Sequence, residues 1–334
     1  MSNEILNSLI KEYEQKKLLA ELDLEKRKND LYKKVPKLKQ IEDDLNQFAI
    51  NTAKNILKNN EASINELEIK ASQLKKEKIE ILKELNLPTD YLQPFYECKI
   101  CNDTGYIMNN NYKTEMCNCL KQKLLNYSFN KSNMSNLDKE NFNTFNENIF
   151  SDEVDLSKYK FNISPRKNII NIKNKCIDFV NNFDNINQKN LLFTGNTGLG
   201  KTFLSSCIAN ELIKKGKTIL YQTAPVMLDT VIDYRFNKQN CSPDIYYNIL
   251  NADLLIIDDL GTEAMNNIKF TELFNIINTR LLNQNKTTKT IISTNLSLQN
   301  LFSNYDERIV SRIVGNYNIC YFFGDDIRFK KKNK

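Results

Sequence analysis

The eight residues Gly195-Asn196-Thr197-Gly198-Leu199-Gly200-Lys201-Thr202 constrain this chain more than any other stretch, because they fit G-x-x-x-x-G-K-[ST] at every position. Their context sharpens the match: an apolar run over 191–194 precedes the glycines and a helical pattern follows them. In that setting the glycines let main-chain N–H groups turn toward a polyphosphate, and the helix N-terminus adds a favourable dipole. The sequence therefore predicts a phosphate-binding loop for ATP built from Gly195, Asn196, Thr197, Gly198, Leu199, Gly200, Lys201 and Thr202. Lys201 is expected to reach the β- and γ-phosphates, and Thr202 to ligate Mg2+.

The rest of the C-terminal half suits such a loop. Short apolar runs at 190–194, 218–222, 254–258, 290–294 and 319–323 alternate with helical patterns such as 201–214 and 269–283. This alternation predicts an α/β fold with a parallel sheet flanked by helices. The run 254–258 ends in two acids, and the carboxyl end of a buried strand lies beside the phosphate loop in an open α/β sheet. Asp258 is the expected Mg2+-associated acid, and Asp259 the group that orients or activates the attacking water. Asn295 follows the run 290–294, where its amide can stand between γ-phosphate and water; a plain turn residue is the competing reading. Arg308 and Arg312 are four apart in a helical pattern and share a face, and Arg328 follows the last run. Each arginine is a candidate to stabilise γ-phosphate charge in cis or across a subunit boundary, and each also reads as a surface charge.

The N-terminal half is different. No glycine occurs before Gly105, and 1–90 is rich in Lys, Glu, Leu, Ile and Asn. Ile41, Leu45, Phe48, Thr52 and Ile56, then Ile64, Leu67, Ala71 and Leu74, recur at helical spacing. Pro36 divides a first helix from a second, and 59–63 is a further weak point. The segment reads as two or three long amphipathic helices, a helical hairpin or short coiled coil. It serves either as a partner-docking arm or as a self-contained helical bundle. Pro88 and Pro94 close it.

A small module over 91–125 carries Cys98-x2-Cys101 and Cys117-x-Cys119, with Gly105 for a tight turn. Four thiolates at this spacing predict a four-cysteine zinc site, with an iron–sulfur cluster as the rival for the same ligands. The chain has no histidine, so any metal must rest on cysteine or carboxylate. Cys176, Cys207, Cys241 and Cys320 fall in apolar contexts and read as buried small hydrophobes. Residues 126–165, Asn- and Ser-rich with Phe142, Phe145 and Phe150, read as a linker with anchoring aromatics, leaving 166–334 for the ATPase domain.

Composition removes several classes. No run approaches the roughly 20 apolar residues that cross a bilayer, and 1–11 lacks a signal-peptide core, so a cytoplasmic protein without membrane contact is expected. The net charge of +6 permits nucleic-acid contact without requiring it. Tyr234, Arg235 and Lys238, ahead of the acid-tipped run, are candidate DNA contacts or an ordinary solvated face. A GTPase reading lacks Asn-Lys-x-Asp. A coiled-coil chromosome-organising ATPase would need a second coiled coil and an LSGGQ-like signature, and neither is present. A small-molecule kinase lacks an evident acceptor site or lid, and nothing beyond the single ATPase module suggests a processive motor.

The ordered set "FTGNTGLGKTFLSSCIANEL", "LLIIDDLGTE", "TIISTNLS", "ERIVSRIVGN" and "GDDIRFKK" resembles the AAA+ ATPases of the bacterial DnaC/DnaI helicase-loader and IstB group. The stretch "CKICNDTGYI…CNCLKQKL" resembles the zinc-binding segment ahead of the ATPase in Gram-positive-type loaders. The resemblance implies that Gly195 to Thr202 are Walker A, Asp258 and Asp259 the Walker B acids, and Asn295 sensor 1. It implies Arg312 as arginine finger, Arg308 as the near alternative, and Arg328 as sensor 2. It further implies homo-oligomerisation through ATP-dependent contacts, and loading of the hexameric replicative DNA helicase onto single-stranded DNA, with the N-terminal region gripping the helicase. An IstB-like transposition helper is the rival within the group, and a non-loading DNA-organising ATPase the rival outside it.

Overall fold

Pro36 has no N–H to contribute to a helix interior, and the chain uses it to begin one. Helix α1 (Ser2–Lys34) ends two residues earlier, and α2 (Pro36–Leu57) starts on the proline, where the missing donor costs nothing. The computed structural model describes residues 2–57, 61–127, 139–236, 244–283 and 286–330. The expected weak point at 59–63 lies partly outside the described residues, and its remainder, from Glu61, is already helical in α3 (Glu61–Glu84). The chain divides into two compact units, one spanning Asn7–Glu115 and one comprising Met1–Leu6 with Met116–Lys334.

In the first unit α2 packs along α3. A small core of Leu31, Leu38, Leu82 and Leu92 gathers apolar positions from all three helices and the segment that follows them. Beside it, Glu42 accepts hydrogen bonds from Lys28 at 2.7 Å, from the Tyr32 hydroxyl and from Lys78 at 2.5 Å, so one carboxylate ties α1, α2 and α3. Burial works against the charge on Glu42, but the donors from Lys28, Lys78 and Tyr32 outweigh it and hold its pKa at about 2. The Arg27 guanidinium lies 4.0 Å from the Phe95 ring centroid and donates to the Tyr91 and Gln93 carbonyls, fixing the turn after Pro88 against α1. Strands β1 (Tyr106–Met108) and β2 (Thr114–Met116) form a two-stranded ribbon.

The second unit opens with α4 (Asn118–Leu125), a one-turn helix α5 (Leu156–Tyr159) and α6 (Pro165–Asn181). Then come β3 (Asn190–Gly195), α7 (Lys201–Lys214), β4 (Ile219–Thr223), α8 (Ala224–Arg235) and α9 (Asp244–Asn251). β5 (Leu254–Leu260), α10 (Asn267–Leu281), β6 (Lys289–Thr294), α11 (Leu298–Asn304), α12 (Glu307–Asn316), β7 (Tyr317–Phe322) and the short α13 (Ile327–Lys330) complete it. The five strands form one parallel sheet in the order β4-β5-β6-β3-β7, each within a few residues of an expected run.

Both faces of the sheet are covered, which is why its strands read as continuous apolar runs rather than alternating ones. Leu191, Phe193, Leu254, Ile256 and Ile291 face one core, lined by α6 and α7. Leu192, Leu255, Ile257 and Ile292 face the other, lined by α8, α9, α10 and α12. Part of the segment read as a linker enters the first core. Residues 128–138 lie outside the described residues, but Phe145 and Phe150 are buried, and Phe145 lies 5.4 Å from Phe203 of α7. At the sheet edge, the Gln122 side chain of α4 donates to the Ile219 carbonyl at 3.0 Å and accepts from the Ile219 N–H at 2.6 Å, so its amide stands in for a neighbouring strand.

Candidate functional site

The carboxyl ends of β3, β5 and β6 converge on one point. Gly195 leaves β3 with φ +142, and a Cβ there would fall 2.0 Å from the Phe322 carbonyl oxygen of β7, so only glycine lets the chain turn into the loop. Gly198 has φ +69, and its missing side chain makes room for the Asp326 carboxylate, 1.9 Å from where a Cβ would stand. The loop then enters α7 at Lys201.

Lys201 is buried, and its Nζ donates to Gly195 O at 2.5 Å, Asn196 O at 2.7 Å and Asn295 Oδ1 at 2.7 Å. All three partners are neutral. Burial draws its pKa down to about 8, the charges of Asp259 and Asp258 resist the fall, and Arg328 adds to it. A buried cation with only neutral acceptors in reach, beside left-handed glycines, fits a phosphate chain.

Across from it, Thr202 donates from Oγ1 to Asp258 Oδ2 at 3.2 Å. The Tyr221 hydroxyl of β4 donates to the same oxygen at 2.7 Å, and the Ser293 hydroxyl of β6 donates to Asp258 Oδ1. Ser293 Oγ also accepts from the Asp259 N–H at 3.1 Å. Asp259 sits at φ +54, where the β5–β6 register shifts between Ile257 and Leu260. At that left-handed kink the strand departs from its regular pleat. Burial, and then the neighbouring charge of Asp258, raise the Asp259 pKa above the ordinary carboxylate value. Thr202 and Asp258 together offer hard oxygen ligands of the kind Mg2+ takes.

The expected arginines are disposed differently. Arg328 is paired with Asp326, its Nη2 2.6 Å from Oδ2. Arg308 is likewise held by Asp306, the N-cap of α12, through Nε at 2.9 Å and Nη2 at 2.8 Å. Arg312, one turn on, is exposed, and its guanidinium has no hydrogen-bond or ion-pair partner among the described residues. Arg235, a candidate for DNA contact or for an ordinary solvated face, is bound to Glu272 at 3.0 Å and packs over Tyr246, so its charge is already matched within the fold. Tyr234 stacks on Tyr246, and Lys238 lies outside the described residues.

The Sγ atoms of Cys98, Cys101, Cys117 and Cys119 all lie within 4.8 Å of one another. Tetrahedral thiolates at about 2.3 Å from a zinc ion stand about 3.8 Å apart, so this set can hold a metal. Asp103, buried, accepts from the Glu97 and Cys98 N–H groups at 2.8 Å each and fixes the first ligand loop. Cys176, Cys207 and Cys320 are buried in the sheet unit, and Cys241 lies outside the described residues.

Sequence reasoning passed over Tyr221, Ser293, Asp326 and Asp103. No local signal marked the first two, since β4 and β6 each carry other polar residues and Tyr221 pairs in register with Ile256, not with an acid.

A parallel sheet in this order, with the phosphate loop after β3, paired acids near the carboxyl end of β5 and an amide after β6, defines an AAA+ P-loop nucleoside triphosphatase fold. The family of IstB-like ATP binding proteins matches residues 117–334, and the chain belongs to it. The chain is 26% identical over 166 residues to the replicative helicase loader DnaC of Escherichia coli (strain K12), covering 49% of this chain and 66% of that one. It is 29% identical over 155 residues to the replicative helicase loader DnaC of Buchnera aphidicola subsp. Baizongia pistaciae, covering 46% and 61%. The match thus spans just under two thirds of these relatives. A crystal structure of the DnaC helicase loader aligns at TM-score 0.44 and 22% identity over 57% of this chain and 99% of that one. No helix among the described residues is long and apolar enough to cross a membrane.

Proposed function

We propose that this protein is an ATP-hydrolysing loader that places the hexameric replicative DNA helicase on single-stranded DNA. The observation that carries the ATPase is the joining of three strand ends: Lys201 bonded to Asn295, and Thr202 bonded to Asp258. The loader reading rests on the likeness to the two DnaC proteins and on the helical unit over Asn7–Glu115.

In this reading the loop amides from Gly195 to Gly200 and Lys201 bind the phosphates, and Thr202 with Asp258 hold Mg2+. When bound, the ion neutralises charge on the β- and γ-phosphate oxygens. Asp259, with its raised pKa, orients the water and takes its proton as the water oxygen attacks the γ-phosphorus and the bond to the β-phosphate oxygen breaks. Asn295 is held by Lys201 until phosphate competes for that ammonium, so its amide reports the state of the site. Arg312 is the finger reaching a neighbouring subunit, favoured over Arg308 because Asp306 already neutralises the latter. Arg328, as sensor 2, would reach the γ-phosphate by exchanging its Asp326 partner for that phosphate. The four cysteines hold zinc, and the protein acts in the cytoplasm.

The test is co-purification with the cognate helicase, with and without ATP, alongside ATPase assays. ATP-dependent association that a Lys201→Ala chain loses is the expected result. No association would remove the loader and leave the ATPase. Normal hydrolysis by Lys201→Ala would remove the ATPase. Metal analysis should give one zinc per chain, and visible absorbance near 400 nm would replace zinc by an iron–sulfur cluster. An IstB-like transposition helper is the second reading, favoured by the family match itself; association with a transposase instead of the helicase would select it.

A further inference from the structure

Neither the phosphate-loop motif nor the acid pair calls for a tyrosine on β4 or a serine on β6, yet both reach the acids. Tyr221 is 1% exposed and Ser293 fully buried, on the two strands that flank β5. Asp258 therefore has a hydroxyl on each oxygen from a different strand: Tyr221 at Oδ2, 2.7 Å away, and Ser293 at Oδ1. Thr202 shares Oδ2 with Tyr221, at the longer distance of 3.2 Å. The Ser293 hydroxyl does a second thing, accepting from the Asp259 N–H in its left-handed turn.

These contacts divide the work. We infer that Tyr221 is a positioning residue for the Mg2+-associated carboxylate Asp258, and that Ser293 positions both acids at once. The inference rests on the ATPase reading above and adds two residues to it. When Thr202 turns its oxygen toward a metal, its hold on Asp258 changes, but the Tyr221 hydroxyl stays on Oδ2 and keeps the carboxylate aimed. Ser293 differs because its loss also removes one of the two acceptors of the Asp259 N–H, leaving only Asp258 Oδ1 at 3.2 Å, so the water-orienting acid is held less firmly.

A purely structural hydroxyl would change stability alone. The positioning role gives a divided signature in the full-length protein. For Tyr221→Phe, affinity for a fluorescent ATP analogue in EDTA stays within about twofold of wild type. The Mg2+ concentration that half-maximally tightens nucleotide binding rises about tenfold or more, the usual cost of removing a partner behind a metal ligand. For Ser293→Ala, the Mg2+ shift is accompanied by a fall in kcat of about tenfold or more at saturating Mg2+. An unchanged Mg2+ titration in Tyr221→Phe overturns the inference while leaving hydrolysis by the wild-type chain to speak for the ATPase. Wild-type protein that fails to bind Mg·ATP overturns both. Should Tyr221→Phe not fold, 3-fluorotyrosine at position 221 of the intact chain gives a second reading. Its 19F resonance should move on addition of Mg2+ to the ATP-bound protein, and a resonance indifferent to Mg2+ sinks the assignment.

Discussion

With a pKa drawn down to about 8, Lys201 is half neutral near that pH in the nucleotide-free fold. A triphosphate restores its charge, so ATP binding must take up protons. The sign follows from the shift: the free site has the lower pKa and the bound site the higher one, so uptake is greatest between them and vanishes well below 8. At pH 8, calorimetry in buffers of different ionisation enthalpy should show about 0.5 proton taken up per ATP. At pH 6.5 it should show almost none, and a buffer-independent enthalpy at pH 8 would contradict this. Lys201→Ala should weaken ATP binding by about 10- to 100-fold, the scale of losing a charge-assisted hydrogen bond in a buried site. Lys201, Thr202, Asp258 and Asp259 were legible because each occupies a fixed offset in a short motif. Tyr221 and Ser293 were not, since they come from strands 37 and 35 residues away from Asp258 in the chain, joined to it only by the pairing of β4 and β6 with β5.

At the level of elements, two side chains act as splices. Gln122 of α4 clamps both main-chain groups of Ile219 on an edge strand. Gln122→Leu should remove both bonds and destabilise the sheet unit by about 2 kcal/mol. For a unit of this size that lowers Tm by about 4–8 °C, measurable by calorimetry, and an unchanged Tm would show that the clamp contributes nothing. Glu42 does the same for the helices of the first unit. Its folded pKa, about 2, lies below the ordinary value of 4.5, so the stability it contributes is present above pH 4.5 and fades as pH falls toward 2. Helical ellipticity of the isolated hydrogen-bond variant Glu42→Gln in the full chain should respond less to acid over that window than wild type; an identical acid titration would count against the splice. The helices themselves were visible from their spacing and from Pro36. The entry of Phe145 and Phe150 into the sheet core was not, because an Asn- and Ser-rich stretch with scattered aromatics has no period to read.

For the whole molecule, the guanidinium of Arg312, unmatched among the described residues, makes a prediction about assembly. Chains carrying Arg312→Ala should bind ATP normally yet lose most hydrolysis, by about 10³-fold if the arginine acts as a finger. Mixed with Lys201→Ala chains, which keep Arg312, they should recover part of the rate, whereas no recovery at any ratio would place the residue outside a shared site. Arg308→Ala should cost far less, because Asp306 already holds that side chain. By itself the sequence determined where the candidate phosphate and magnesium ligands lie along the chain, where helices break, and which cysteines pair in spacing, since these depend on neighbours a few residues apart. Only the tertiary structure decided which strands stand side by side, which hydroxyls bond to Asp258, and which arginines are already matched by a carboxylate. Those depend on packing between segments far apart in the chain, which no local pattern records.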